Sequence, residues 1–195
     1  LEKKVKERWG DIACLIVEPI MGNTASIMPE DGFLQLIRRL CDEYGIVMIM
    51  DEVKTGFRIA KGGAQEYFGV KADLVCYAKA LANGFPLAAV AGRREIMGDI
   101  GRGGIPHGGT YTGNAVATAA ALATLEEIEK GALEKVEAHG RKLMQGFARL
   151  LARKKVPAVI QGPPGMFGVV FSELEQVRDY RDWAASNHGA YERLI

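Results

Sequence analysis

Residues 46–52 read IVMIMDE: five apolar residues in a row, closed by Asp51 and Glu52. A run this short and unbroken, with no polar alternation, predicts a strand covered on both faces, as in a parallel sheet. Immediately upstream, Phe33, Leu34, Ile37, Leu40 and Cys41 recur at helical spacing, which predicts a helix from about Gly32 to Tyr44. Asp31 stands where it can cap that helix, and Gly45 where it can stop it. Further upstream, IACLIV (12–17) predicts a second buried strand ended by Glu18-Pro19, after a charged, helical 1–9. Strand, helix, strand in this order predicts an α/β fold with a mostly parallel sheet flanked by helices.

The pattern continues downstream. Residues 73–78 (DLVCYA) and 87–91 (LAAVA) predict further strands, and Arg93 to Ile100 a short helix whose Arg93-Arg94 start is solvated. Asn114 to Lys130 is Ala-rich and helical, as is Leu133 to Lys154. Pro157 to Gly165 is a turn-rich boundary, Met166 to Phe171 a strand, and the remainder to Ile195 charged and helical. Two domains follow: 1–155, and a second one beginning at 156–195.

The composition excludes several classes. Of 195 residues, 48% are hydrophobic and 25% charged, with a net charge of +1. Disorder requires low hydrophobicity and high charge, and a nucleic-acid binder a basic excess. No apolar run reaches the ~18 residues of a membrane span. Cys14, Cys41 and Cys76 have neither disulfide nor zinc spacing and read as buried thiols in a reducing cytoplasm. His107, His139 and His188 show no metal-ligand spacing, so no metal is expected. Glycine is over-represented, 24 residues in all, against a typical ~7% of residues. The first helical pattern is already running at Leu1, which reads as a chain cut from something longer.

In open α/β sheets, ligands bind beyond the carboxyl ends of the strands. The residues to examine are therefore Glu18, Asp51 and Lys79. A carboxylate at a strand end is costly unless it meets donors or a cation. Alone, Asp51 could equally be a helix cap or an ion-pair partner. Lys79 sits in CYAKALANGFPLAAVAG, among small and apolar residues with an Asn83-Gly84 turn beyond. It could be a desolvated amine nucleophile, or simply snorkel outward. Together, a lysine and a strand-end carboxylate are what a pyridoxal phosphate site needs: one forms the imine, the other keeps the pyridine nitrogen protonated. A third element, HGGTYTGN (107–114), leads into the Ala-rich helix. Its small and hydroxyl residues at a helix start suit a phosphate, although such residues also cap ordinary helices. Neither GxxxxGK nor a GxGxxG after a strand is present, which disfavours a nicotinamide oxidoreductase.

The order EPIMGN (18–23), MDEVKTGFR (50–58), AKALANGFP (78–86), AGRREIM (91–97) and HGGTYTGN (107–114) resembles the class III aminotransferases, which are fold-type-I pyridoxal phosphate enzymes. Within them, DEVKTGFRIAKGGAQEYFGVKADL is similar to the glutamate-1-semialdehyde 2,1-aminomutases and the transaminases grouped with them. PGMFGVVFSELEQVRDYRD resembles the start of their small α+β C-terminal domain. By this resemblance, 1–155 is the C-terminal part of the large cofactor-binding domain, and the chain is a portion not active alone. Asn23 resembles the aminomutase branch, whereas HGGTYT looks more like general transaminases.

The resemblance implies residue roles. Lys79 forms the imine with pyridoxal 5'-phosphate, and Asp51 pairs with the protonated pyridine nitrogen. Val53 packs on the ring, Glu18 lines the pocket, and Arg58 braces the loop after Asp51. Thr110 binds the phosphate in the neighbouring subunit's site of a homodimer. The implied partners are a small-molecule amino donor and an oxo acceptor, or glutamate-1-semialdehyde alone, with no nucleic acid and no membrane. Retention of both Lys79 and Asp51 speaks against a non-catalytic relative.

Overall fold

The structure is a computed structural model that describes residues 1–100 and 104–193. After α1 (Glu2–Arg8), three strands pair in parallel in chain order: β1 (Cys14–Val17), β2 (Val47–Asp51) and β3 (Leu74–Tyr77). Ile16 lies opposite Ile49, Met50 opposite Val75, and Asp51 opposite Cys76. A fourth strand, β4 (Ala89–Gly92), closes the edge antiparallel to β3. The expected mostly parallel α/β sheet is therefore present, with its one reversal at the rim.

Both parallel crossovers step the same way across the sheet. Right-handed connections then put α2 (Phe33–Tyr44) and α3 (Gly63–Phe68) on one face. That face is the core: Leu34, Ile37, Leu40 and Cys41 of α2 and Ala64 of α3 meet Met48, Met50 and Val75 of the strands. The opposite face is more open. Ile16 is 61% exposed, Cys14 is exposed, and Ile49 and Cys76 are half-buried. The expectation of strands covered on both faces thus holds on one face only, and of the three cysteines Cys41 alone is buried. Gly45 stops α2 as expected, at φ +66°, with its N–H donating to the Cys41 carbonyl. Asp31 does not cap it. The N-cap is Gly32 at φ +78°, which makes no side-chain capping bond.

Downstream come α4 (Arg94–Met97), α5 (Ala115–Glu129) and α6 (Ala132–Lys154). The chain divides into two compact units. The first holds Leu1–Pro19 and Asp31–Lys130, and the second Ile20–Glu30 with the described residues from Gly131 onward. In the second, β5 (Val159–Gln161) and β6 (Gly168–Val170) form an antiparallel pair. Ile27, Val159, Val170 and Val177 make its core, with Trp183 against it. The pairing of Val159 and Ile160 with Val170 and Val169 draws a strand out of the stretch read as turn-rich. Helix α6 runs past Pro164–Met166. At buried Gly140 a Cβ would stand 2.1 Å from the Pro164 carbonyl oxygen, so only glycine admits this approach. The tail read as helical forms α7 (Tyr180–Ala184) and α8 (His188–Glu192), with 171–179 non-helical between β6 and α7. Leu194 and Ile195, read with that tail, lie outside the described residues. Among the described residues, no helix is long and apolar enough to cross a membrane.

Candidate active site

Three neighbouring strands deliver three of the expected side chains to one end of the sheet. Glu18 follows β1, Asp51 closes β2, and Lys79 lies two residues beyond β3. The Asp51–Cys76 register sets the carboxylate beside the strand that leads into the lysine. Asp51 is half-buried, and its Oδ1 accepts from the Val53 N–H at 3.0 Å. This bond turns the chain out of the strand and fixes half-buried Val53 next to Asp51. Burial and the adjacent Asp51 charge together push the Cys76 thiol up.

Lys79 opens a 3-10 turn (Lys79–Leu81) in a backbone conformation that lysine rarely adopts, φ +47°. Asn83 (φ +45°) and Gly84 (φ +109°) continue the reversal expected there. Left-handed backbone at a non-glycine residue costs roughly 1–3 kcal/mol and persists only where its surroundings enforce it. Here they do. Leu81 and Ala82 are buried against Ala121 of α5, with Phe57, Tyr77 and Leu87 around them. Of the two readings of its side chain, desolvated or turned outward, the structure shows the second: Lys79 is exposed. Its apolar sequence neighbours face the support beneath the turn, not the amine.

Glu52 is the residue whose importance the sequence reading passed over. Consecutive side chains in extended chain point to opposite faces, so Glu52 turns to the helix-covered face as Asp51 turns away. It is 0% exposed. Its carboxylate accepts from the Thr55 hydroxyl at 3.0 Å and the Gln65 N–H at 3.2 Å, and also from the Ala64 N–H. Burial pushes its carboxyl up, against the pull of these donors. Gly63 (φ +65°) is held so tightly that a Cβ would meet Glu52 Oε2 at 2.0 Å. A Glu beside Asp at a strand end, followed by Gly62-Gly63 and an amphipathic turn, was the available signal.

Thr110 lies in the exposed segment before α5 and makes no hydrogen bond to Asp51 or Lys79. Asn114 caps α5, taking the Ala117 N–H at 3.0 Å. One of the helix's opening donors is therefore already used. Glu18 is half-buried at its strand end. Arg58 is half-buried in the loop, where its N–H donates to the Thr55 carbonyl at 3.2 Å. Asn23 belongs to the other unit. His139 sits exposed on α6, its Nδ1 2.7 Å from the Lys135 carbonyl oxygen. No group of metal-ligating side chains occurs among the described residues.

The other end of the sheet carries a different charge cluster. Buried Asp73, just before β3, accepts from the Met48 N–H at 2.8 Å, Arg38 Nη1 at 3.0 Å and Arg93 Nη1 at 3.1 Å. Burial alone would raise the Asp73 carboxyl, but these three donors outweigh it and hold it below its usual value. Arg93 is therefore not merely a solvated helix start.

These observations test the fit of a pyridoxal phosphate group. Among the described residues, neither the Asp51 carboxylate nor the Lys79 amine has a counter-ion, and the two do not pair with each other. A group offering a protonated ring nitrogen to Asp51 and a carbonyl carbon to Lys79 satisfies both. The two residues fit it, and the strained, braced turn under Lys79 suits a residue held for chemistry.

Comparisons with known proteins agree. The family model described as aminotransferase class-III matches residues 1–191. A glutamate-1-semialdehyde 2,1-aminomutase of Methanothrix thermoacetophila is 40% identical over 189 residues, covering 96% of this chain and 44% of the relative. The chain thus spans less than half the length of that relative. The solved β-phenylalanine aminotransferase of Variovorax paradoxus superposes with a TM-score of 0.86 at 26% identity, over 98% of this chain and 45% of that one. A solved transaminase with PLP bound gives 0.79 at 26% identity, over 84% of this chain and 39% of its own. With that family model spanning nearly the whole chain and the mostly parallel sheet of its solved neighbours present, the chain belongs to the class-III aminotransferase family.

Proposed function

We propose that this chain carries the cofactor-holding residues of a pyridoxal 5'-phosphate-dependent aminotransferase that moves an amino group through Lys79. The observation that carries this reading is the placement of Asp51 and Lys79 at the ends of adjacent parallel strands, each without a counter-ion among the described residues. The bound cofactor supplies an electron sink for negative charge on the substrate carbon. Lys79 Nζ holds it and, once released, takes and returns the proton at the substrate carbon as general base and then acid. The Asp51 carboxylate keeps the ring nitrogen protonated through a charge-assisted hydrogen bond. Val53 packs on the ring and Glu18 lines the pocket. Exposed Thr110 serves the phosphate in a neighbouring subunit's site, which makes the enzyme a homodimer. Residues 1–155 belong to the large domain and 156–195 open the small one. The free cysteines suit the cytoplasm.

The second reading is glutamate-1-semialdehyde 2,1-aminomutase, in which the amino group returns to the same molecule at another carbon. Curated relatives bearing that name, at 37–40% identity, favour it. A donor and acceptor screen of the intact enzyme tests both. Turnover of glutamate-1-semialdehyde with no second substrate selects the aminomutase, and an obligatory oxo-acid partner selects the transaminase. Failure to move an amino group between any pair contradicts the reading.

A further inference from the structure

The loop after Asp51 is fastened to the sheet by one buried side chain. The Glu52 N–H donates to the Cys76 carbonyl at 3.0 Å and the Glu52 carbonyl accepts from Gly56 at 2.9 Å. Its carboxylate gathers Thr55, Ala64 and Gln65 from the far side of the loop. The same loop presses on the strand that leads to the lysine. Phe57 packs on Tyr77 with ring centroids 5.1 Å apart. A Cβ at Gly56 would stand 2.5 Å from the Tyr77 ring, so glycine is required for this contact. Gln65 closes the circuit: its Nε2 donates to the Tyr77 hydroxyl at 3.4 Å and its Oε1 accepts from the Ala72 N–H at 2.9 Å. A fully buried carboxylate is costly unless its donors are held in place, and an apolar side chain here could not satisfy the Ala64 and Gln65 N–H groups.

We propose that Glu52 is a positioning residue. By holding residues 55–65 against the ends of β2 and β3, it fixes the Asp51 carboxylate relative to the Lys79 amine. The inference rests on the amino-transfer reading above. Glu52 touches neither substrate nor cofactor and acts through the two residues that do.

The test uses the intact protein. Glu52→Gln replaces one accepting oxygen with an amide NH2 that opposes the backbone donors. Titration of the apoprotein with pyridoxal 5'-phosphate should show a Kd raised about tenfold, the scale of one lost hydrogen bond to a charged group. The pH midpoint of the bound cofactor's visible absorption should move with it. A purely structural role would lower thermal stability and leave both readouts unchanged in the folded protein. Asp73→Asn, at the other end of the sheet, gives the comparison for stability loss alone. Should Glu52→Gln fail to fold, Thr55→Val removes a single donor and should move both readouts the same way, by about twofold to fivefold. An unchanged Kd and midpoint in whichever variant folds overturns the proposal. Reductive labelling of the wild type at Lys79 separates the two readings: label at Lys79 with an unmoved Kd rejects only the role of Glu52, whereas no label there rejects the amino-transfer reading as well.

Discussion

At the amino end of β3, the Asp73 carboxylate meets Arg38, Arg93 and the Met48 N–H. At the carboxyl end of the same sheet, Asp51 and Lys79 meet no counter-ion among the described residues, and Lys79 is held at φ +47°. One end neutralises its buried charge and relaxes. The other leaves charge uncompensated and backbone strained, at the end where ligands of α/β sheets bind. The contrast separates residues that hold the fold from residues held by it. Glu52 stands between the two kinds: it is satisfied like Asp73, yet its donors belong to the loop that follows Asp51.

Substitutions at the two ends should therefore have opposite signatures in the intact enzyme. The largest effect is expected from Lys79→Ala: turnover is abolished, while thermal unfolding of the cofactor-free protein shows no loss of stability, because the amine makes no bond within the described residues. Asp51→Ala should still attach the cofactor but turn over about 10²-fold more slowly, the upper range for one hydrogen bond to a charged group. An unimpaired rate would reject the role of Asp51 at the ring nitrogen. Asp73→Asn should do the reverse. Breaking a buried pair costs about 3–5 kcal/mol, and less is expected here because Arg93 is 60% exposed. Denaturant unfolding should show a loss of roughly 2–3 kcal/mol with turnover per folded molecule unchanged. A variant as stable as wild type would break the comparison.

The smallest effect is in pH dependence. Asp73 is depressed in the folded state, so its contribution is fully present above the usual carboxylate value of 3.8 and fades as pH falls through the folded value. Glu52 is raised, so its titration works the other way: its contribution is fullest below 4.5 and declines as pH rises through the folded value. Acid unfolding followed by circular dichroism should therefore flatten below about pH 4 in Asp73→Asn relative to wild type. Equal slopes would show that Asp73 is not tied up as the geometry indicates.

Much of this was legible in the sequence, for identifiable reasons. The runs at 12–17 and 46–50 announced parallel strands, and the residues ending them, Glu18 and Asp51, marked the carboxyl end of the sheet, where ligands of such folds bind. Gly45 and the Asn83-Gly84 turn were readable because positive φ selects glycine and asparagine. What escaped depends on contacts far apart in sequence. Ile16 reads as buried, but its exposure follows from both crossover helices lying on one face. Lys79 reads either way, desolvated or turned outward, because its apolar neighbours give no hint that they pack beneath the turn while the amine points out. β5 hid within a Pro- and Gly-rich stretch because its strand character comes from pairing with β6. Asp73 lies before an apolar run, not after one, and its arginine partners lie 35 and 20 residues away.

The central claim is that Lys79 carries the cofactor. Borohydride reduction of the intact protein with pyridoxal 5'-phosphate, followed by peptide mapping, tests it directly. The account predicts a single phosphopyridoxyl adduct on the peptide containing Lys79, absent in Lys79→Ala. An adduct on another lysine, or one that survives that substitution, would contradict it.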